Sequence, residues 1–178
     1  MDRLYERMIR AAKLDVNLYE EVEADKSTMS QAILVVVISN LAAGIGRFGD
    51  IDLFGIVVFT ILSLVGWFIW AYITYIVGTK LLPQPQTKAD HGELLRTIGF
   101  SASPGVLRVM YFIPAIGPFI TFVANIWMLV AMVIAVRQAL DYNSTFRAVG
   151  VCIIGWIIQV IFILVIASIF GISLFQNL

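Results

Sequence analysis

Arg108 is the residue whose position most demands chemistry. It lies in Leu94–Ile113, a stretch of membrane-spanning length that carries no other charge after Arg96. A guanidinium at bilayer depth costs at least about 2.5 kcal/mol even on lenient insertion scales, so it needs a partner or water. Two readings stand. One is an ion pair with Asp50 or Asp52, the acids that end the preceding loop on the same side, and it is the expected arrangement because buried charges are usually paired. The other is a polar cavity in which Arg108 binds an anionic headgroup or solute. Asn40, at comparable depth, would complete a polar cluster with Arg108 and Asp50. Asn125 and Gln159 fall near the middle of later apolar runs and are expected to bond each other as interhelical glue.

Other chemistry has little to work with. His91 is the single histidine and stands in a polar loop with no HExxH pattern or carboxylate cluster, so no metal or other cofactor is expected and the ring should be solvated. Cys152 is the one cysteine and should be a packing residue. The clearest apolar runs hold neither acid nor histidine, which argues against intramembrane hydrolysis, and no enzyme activity is expected. A formal net charge of +0 gives no basic face for nucleic acid.

The elements that must hold these residues follow from hydropathy. Hydrophobic residues are 60% of the 178 and charged residues only 13%, against roughly a quarter in soluble domains, so the bilayer is the expected solvent. Residues 27–46, 53–78, 114–136 and 148–178 contain no Asp, Glu, Lys or Arg. Together with the less apolar stretch bearing Arg108 they predict an all-α bundle of five transmembrane helices at about 29–46, 53–78, 95–113, 115–136 and 149–173. Pro104 should bend or break the third, which must then be shielded by its neighbours. Pro114, Gly117 and Pro118 predict a tight hairpin into the fourth.

With the N-terminus inside and the C-terminus outside, Arg3, Arg7, Arg10, Lys13, Lys26, Lys80, Lys88, Arg96, Arg137 and Arg147 fall on the cytoplasmic side, and Arg47 alone on the other. That bias selects one topology.

Residues 1–26 form a cytoplasmic segment ahead of the 27–178 membrane domain, and nothing in them looks like a signal peptide. Leu4, Met8, Ala12, Val16, Tyr19 and Val22, with Tyr5 and Ile9, predict an amphipathic segment lying in the membrane interface. Asn17 and Glu20 have capping-box spacing, so it should break near Asp15 to Asn17. Its basic residues favour anionic lipid, and Glu20, Glu21, Glu23 and Asp25 form a separate acidic patch. The loop from Thr79 to Glu93, with Pro83 and Pro85, should stay extended and is the one loop long enough for a partner. Ala42 with Gly46 and Ser101 with Gly105 permit close helix contacts, within the chain or in a homo-oligomer.

This arrangement resembles the Yip1 domain family. Leu14 to Val22 is similar to the family's aromatic and acidic entry motif. Thr97-Ile98-Gly99-Phe100 with Ser103-Pro104 resembles its third-helix opening before the hairpin, and Arg137-Gln138-Ala139-Leu140 with Ser144-Thr145 and Arg147-Ala148 resembles its fourth loop. The resemblance implies a multi-pass membrane scaffold or adaptor that organises membrane or recruits partners, with Glu20 and Glu21 carried over as a partner contact. The short N-terminal region resembles prokaryotic members, which would place the chain in a prokaryotic cell membrane. Expected partners are membrane lipids, other membrane proteins or a cytoplasmic protein. The alternative function is a transporter or channel for a small solute or lipid built around Arg108.

Overall fold

The computed structural model describes residues 2–169. Among them there is no strand, and the chain forms seven α-helices: α1 (Asp2–Ala12), α2 (Val16–Ala24), α3 (Met29–Gly46), α4 (Leu53–Ile76), α5 (His91–Ser101), α6 (Gly117–Ala139) and α7 (Thr145–Ile169). A π turn, Val77–Leu81, ends α4, and a 3-10 segment, Ser103–Phe112, follows α5. Four stretches are long and apolar enough to cross a membrane: Lys26–Gly46, Leu53–Leu81, Gly117–Ala139 and Thr145–Phe162. The expected end of the last span, 170–173, lies outside the described residues. Many large apolar side chains face outward. Phe54 is 75% exposed, Phe119 66%, Leu62 64% and Trp156 62%, an outer face that only lipid can cover. The chain is a membrane protein.

The stretch bearing Arg108 is two elements rather than one helix. The α-helix begins at His91, four residues before the expected start, because Asp90 and Glu93 form a reciprocal capping box: Glu93 N donates to Asp90 Oδ1 at 2.8 Å and Asp90 N to Glu93 Oε2 at 2.7 Å. It stops at Ala102, next to Ser103 and Pro104 at the start of the 3-10 turns. The 3-10 segment lies mainly between α3 and α6. Close approach to α3 needs two glycines. A Cβ on Gly46 would collide with the Arg108 carbonyl and come 2.9 Å from that of Val109, and one on Gly105 would collide with Ser39 Oγ. These small residues serve packing inside the chain. The chain then turns through Ile113–Ile116, with Ala115 at φ 66°, and α6 starts at Gly117 with Pro118 in its first turn.

The N-terminal segment departs most from expectation. It does break where expected, at Leu14 (φ 62°), but the cap is Asp15, which accepts from Asn17 N, and not Asn17. The two helices pack their shared apolar stripe on protein. They fold into a hairpin docked on the bundle, with Ala11, Leu18, Tyr19 and Val22 fully buried against Ala32, Val35, Phe100 and Ala135. Nor are its basic and acidic residues separate. Arg7 Nη2 donates to Glu21 Oε1 at 2.7 Å, and Arg10 reaches Asp15 and Glu21, each at 2.7 Å. The Arg10 hydrogen bond holds the Glu21 carboxyl below its usual range.

A second core joins the α4 end, α5, α6 and α7 through Trp70, Leu94, Ile98, Val136, Leu140 and Val151. Cys152 is buried beside it, as a packing residue should be. His91 is partly buried, with both ring nitrogens covered rather than solvated. Its ring meets Phe68 and Tyr72 edge-on at 4.9 and 5.5 Å between centroids, and neither nitrogen has a hydrogen-bond partner among the described residues.

Candidate functional site

Two polar regions stand out, one at each end of the bundle. At the end that carries the α1–α2 hairpin, the key side chain is Arg96. It is 3% exposed and points from α5 into the end of α2, where its Nε donates to Val22 O at 2.8 Å and its Nη2 to Glu23 O. The last carbonyls of a helix have no partner within it, and a cation there also meets the negative end of the helix dipole. Arg96 thus fastens the hairpin to the bundle. Two further bonds extend the attachment along α6: Gln138 Nε2 to Glu20 Oε1 at 2.9 Å, and Trp127 Nε1 to Ala12 O at 2.7 Å. Eleven residues separate Trp127 and Gln138, so the hairpin lies along about 16 Å of α6.

The loop with Pro83 and Pro85 is equally fixed. Tyr142 Oη donates to Leu82 O at 2.6 Å and Gly78 O at 2.9 Å, Thr87 Oγ1 to Leu140 O at 3.0 Å, and Arg147 Nη1 to Pro83 O at 3.1 Å. Between this loop, α2 and the α6–α7 turn lies a basin of about 770 Å³ lined by Glu20, Glu23, Lys88, Arg137, Asp141 and Asn143, among others. Partial burial, reinforced by Asp141, Glu93 and Glu20, pushes the Glu23 carboxyl up to about 7. Glu20 faces this basin, whereas Glu21 is turned away into its ion pairs with Arg7 and Arg10.

The raised Glu23 sets a pH dependence. Its folded pKa exceeds the unfolded one, so between about 4.3 and about 7 the folded chain holds the proton more tightly. Stability therefore falls as pH rises through that window and is flat above it. Thermal melts in detergent from pH 5 to 8 should show this decline, and Glu23→Gln should remove it.

At the far end, Arg108 does not form the expected ion pair with Asp50 or Asp52. Its Nη2 donates to Ser39 O at 3.0 Å and Ser39 Oγ at 2.8 Å, and its Nε to Gly105 O at 3.2 Å, so α3 and the 3-10 backbone supply the oxygens that an acid was expected to give. Asp52 is occupied as the α4 cap, accepting from Gly55 N at 2.8 Å. Asn40 does not join a cluster with Arg108, since its amide donates to Val36 O in its own helix.

Asn125 and Gln159 form no hydrogen bond with each other. They face one groove of about 450 Å³ between α3, α4, α6 and α7, with Asn40 and Ser63 and, on its apolar wall, Trp67 and Trp156. The Nε1 atoms of Trp67 and Trp70, which also lines the groove, are buried without an acceptor among the described residues. Asn125 also lines an adjoining cavity of about 170 Å³ with Arg108, Arg47, Tyr111 and Thr121.

Neither region holds a nucleophile with a base, and no group of three metal-binding side chains occurs among the described residues. The sequence profile of the Yip1 domain matches residues 19–170, from within α2 through α7. The chain belongs to the Yip1 domain family. No curated protein and no solved structure gives a match. The Yip1 domain match begins at Tyr19, in the docked face of α2, so it takes in part of the hairpin that Arg96 holds.

Sequence reasoning places Arg96 only among the cytoplasmic charges and misses its role. The signal available is a lone cation three residues after the first turn of an amphipathic helix, surrounded by Leu94, Leu95, Thr97 and Ile98.

Proposed function

We propose that this Yip1 domain protein is a non-enzymatic, multi-pass membrane scaffold or adaptor, and that the basin between α2, the Pro83–Pro85 loop and the α6–α7 turn is where it receives a protein partner. The observation that carries this reading is the fixed attachment of the hairpin, with Arg96 buried under α2. An unanchored nine-residue helix is marginal in water, so anchoring it converts a floppy tail into a defined wall of the basin. Glu20, Glu23 and Asp141 outnumber Lys88 and Arg137 there, and a basic side chain from a partner would relieve the acids' mutual repulsion.

The same reading takes the chain through the membrane five times, with the N-terminus in and the C-terminus out. α5 and the 3-10 segment together extend about 36 Å, from 11 residues at ~1.5 Å and 10 at ~2.0 Å, enough for a hydrocarbon core of about 30 Å. The 3-10 geometry supplies the extra reach. The break itself, at Ser103, Pro104 and Gly105, is buried where the segment packs against α3 and α6, as broken backbone at that depth requires.

A photo-crosslinking residue at Glu20 in cell membranes tests the docking surface. A discrete protein adduct is expected, reduced at least about tenfold by Asp141→Lys, which removes an acid and adds repulsion for a basic partner. Crosslinks no more specific than those from the α1 residue Glu6 would refute it. Tags at the two termini should be labelled from opposite sides of the membrane, and labelling from one side would refute the five crossings.

A further inference from the structure

We infer that the far end of the bundle holds one anionic phospholipid, its phosphate between Arg47 and Arg108 and one acyl chain along the groove that Asn125 joins to that site. The proposal stands apart from the adaptor reading, since the two regions share no lining residue.

Charge comes first. Arg47 caps α3 and stacks over the Tyr111 ring at 5.0 Å, and Arg108 lies beneath it in the same cavity. Among the described residues neither guanidinium has a carboxylate within 4.0 Å. The Ser39 and Gly105 oxygens occupy Nε and Nη2 of Arg108 and leave Nη1 without an acceptor. Thr121 Oγ1 is buried in the same cavity without a partner. Two cations, a hydroxyl and an amide facing one small space are a set of donors that lacks an anion. A phosphate diester offers the oxygens that guanidinium groups bind best.

Shape comes second. The small cavity and the groove follow one another along three helices: α3 lines the first with Gly44 and Arg47 and the second with Val36 and Asn40, while Phe59 then Trp67 do so on α4, and Thr121 then Met132 on α6. The eleven residues from Thr121 to Met132 span about 16 Å, close to one leaflet of a hydrocarbon core about 30 Å thick. Below the cations, Asn125 offers an amide where the two spaces meet, and Trp67, Met128, Met132 and Trp156 offer an apolar bed. A free anion would use the upper cavity alone and leave the groove unexplained.

Three of the four tryptophans, Trp67, Trp70 and Trp156, line the groove, so acyl-chain quenching reads it directly. Full-length protein carrying Trp127→Phe, in maltoside detergent, would be titrated with phosphatidylglycerol brominated on its acyl chains, then with brominated phosphatidylcholine, and finally with inorganic phosphate in competition. Quenching should saturate at one lipid per chain, with phosphatidylglycerol saturating at about tenfold lower concentration. Arg47→Gln should erase that preference, and Thr121→Val, near-isosteric and independent of the stacking on Tyr111, should weaken it with the melting temperature unchanged. Equal saturation by the two lipids, or a preference that survives both substitutions, would overturn the proposal. Displacement of the brominated lipid by millimolar phosphate would reassign the cavity to a free anion and overturn it equally.

Discussion

Replacing Arg96 with methionine should destabilise the protein by about 3 kcal/mol or more and release the N-terminal hairpin. Methionine keeps most of the packed volume, so the loss isolates the guanidinium. Arg96 donates to the carbonyls of Val22 and Glu23 from a position only 3% exposed. Hydrogen bonds from charged groups contribute about 1.5–3 kcal/mol each, and the Glu23 carbonyl would lose its partner while Val22 O kept only the Thr28 hydroxyl at 3.1 Å. Lysine should recover only part of the loss, because one ammonium cannot reproduce the planar fork that reaches both oxygens. Thermal melts of the three proteins in one detergent would rank them arginine, lysine, methionine. Limited proteolysis should cut the methionine variant between α2 and α3 while the wild-type chain stays intact. Equal stability of methionine and arginine would show that the hairpin is held by apolar contact alone.

Gly46→Val should be as damaging at the opposite end. A Cβ at Gly46 meets the backbone carbonyl of Arg108, with the Val109 carbonyl 2.9 Å away, and backbone cannot swing aside as a flexible side chain would. Overpacking usually costs about 1–3 kcal/mol, and a collision with backbone belongs at the upper end. The helices must part, and with them the bonds from Arg108 to Ser39 that depend on this approach. Gly66→Val is the control, because a Cβ there meets nothing within 4 Å. A melting temperature lowered by the first substitution and not by the second is the expected pattern, and equal effects would contradict the close packing of α3 on the 3-10 segment.

The long apolar runs were legible in the sequence because span length and absence of charge are properties of a single segment. So was the break beside Pro104, where one residue removes a backbone donor. Partner choice was not legible. Arg108 invited an acid, but Ser39 and the Gly105 carbonyl, which a break in the helix leaves free, were closer oxygens; serine and a backbone carbonyl carry no charge signal to find them by. The stripe of Leu4, Met8, Val16, Tyr19 and Val22 was real, and periodicity alone gives the same pattern for a helix on lipid and a helix on protein. What fastens it to protein is Arg96 on α5, 74 positions from its acceptor Val22. Glu20 and Glu21 looked alike as neighbours in one motif. A helix turns about 100° per residue, which sends one to the basin and the other to Arg7 and Arg10.

Amide hydrogen exchange of the protein in lipid nanodiscs tests the central claim, that α2 is a fixed part of the bundle. The account predicts that the α2 amides from Leu18 to Ala24 exchange as slowly as those of α5, and that Arg96→Met accelerates α2 while leaving α6 protected. Exchange of α2 within seconds, or a slow exchange indifferent to Arg96, would contradict it.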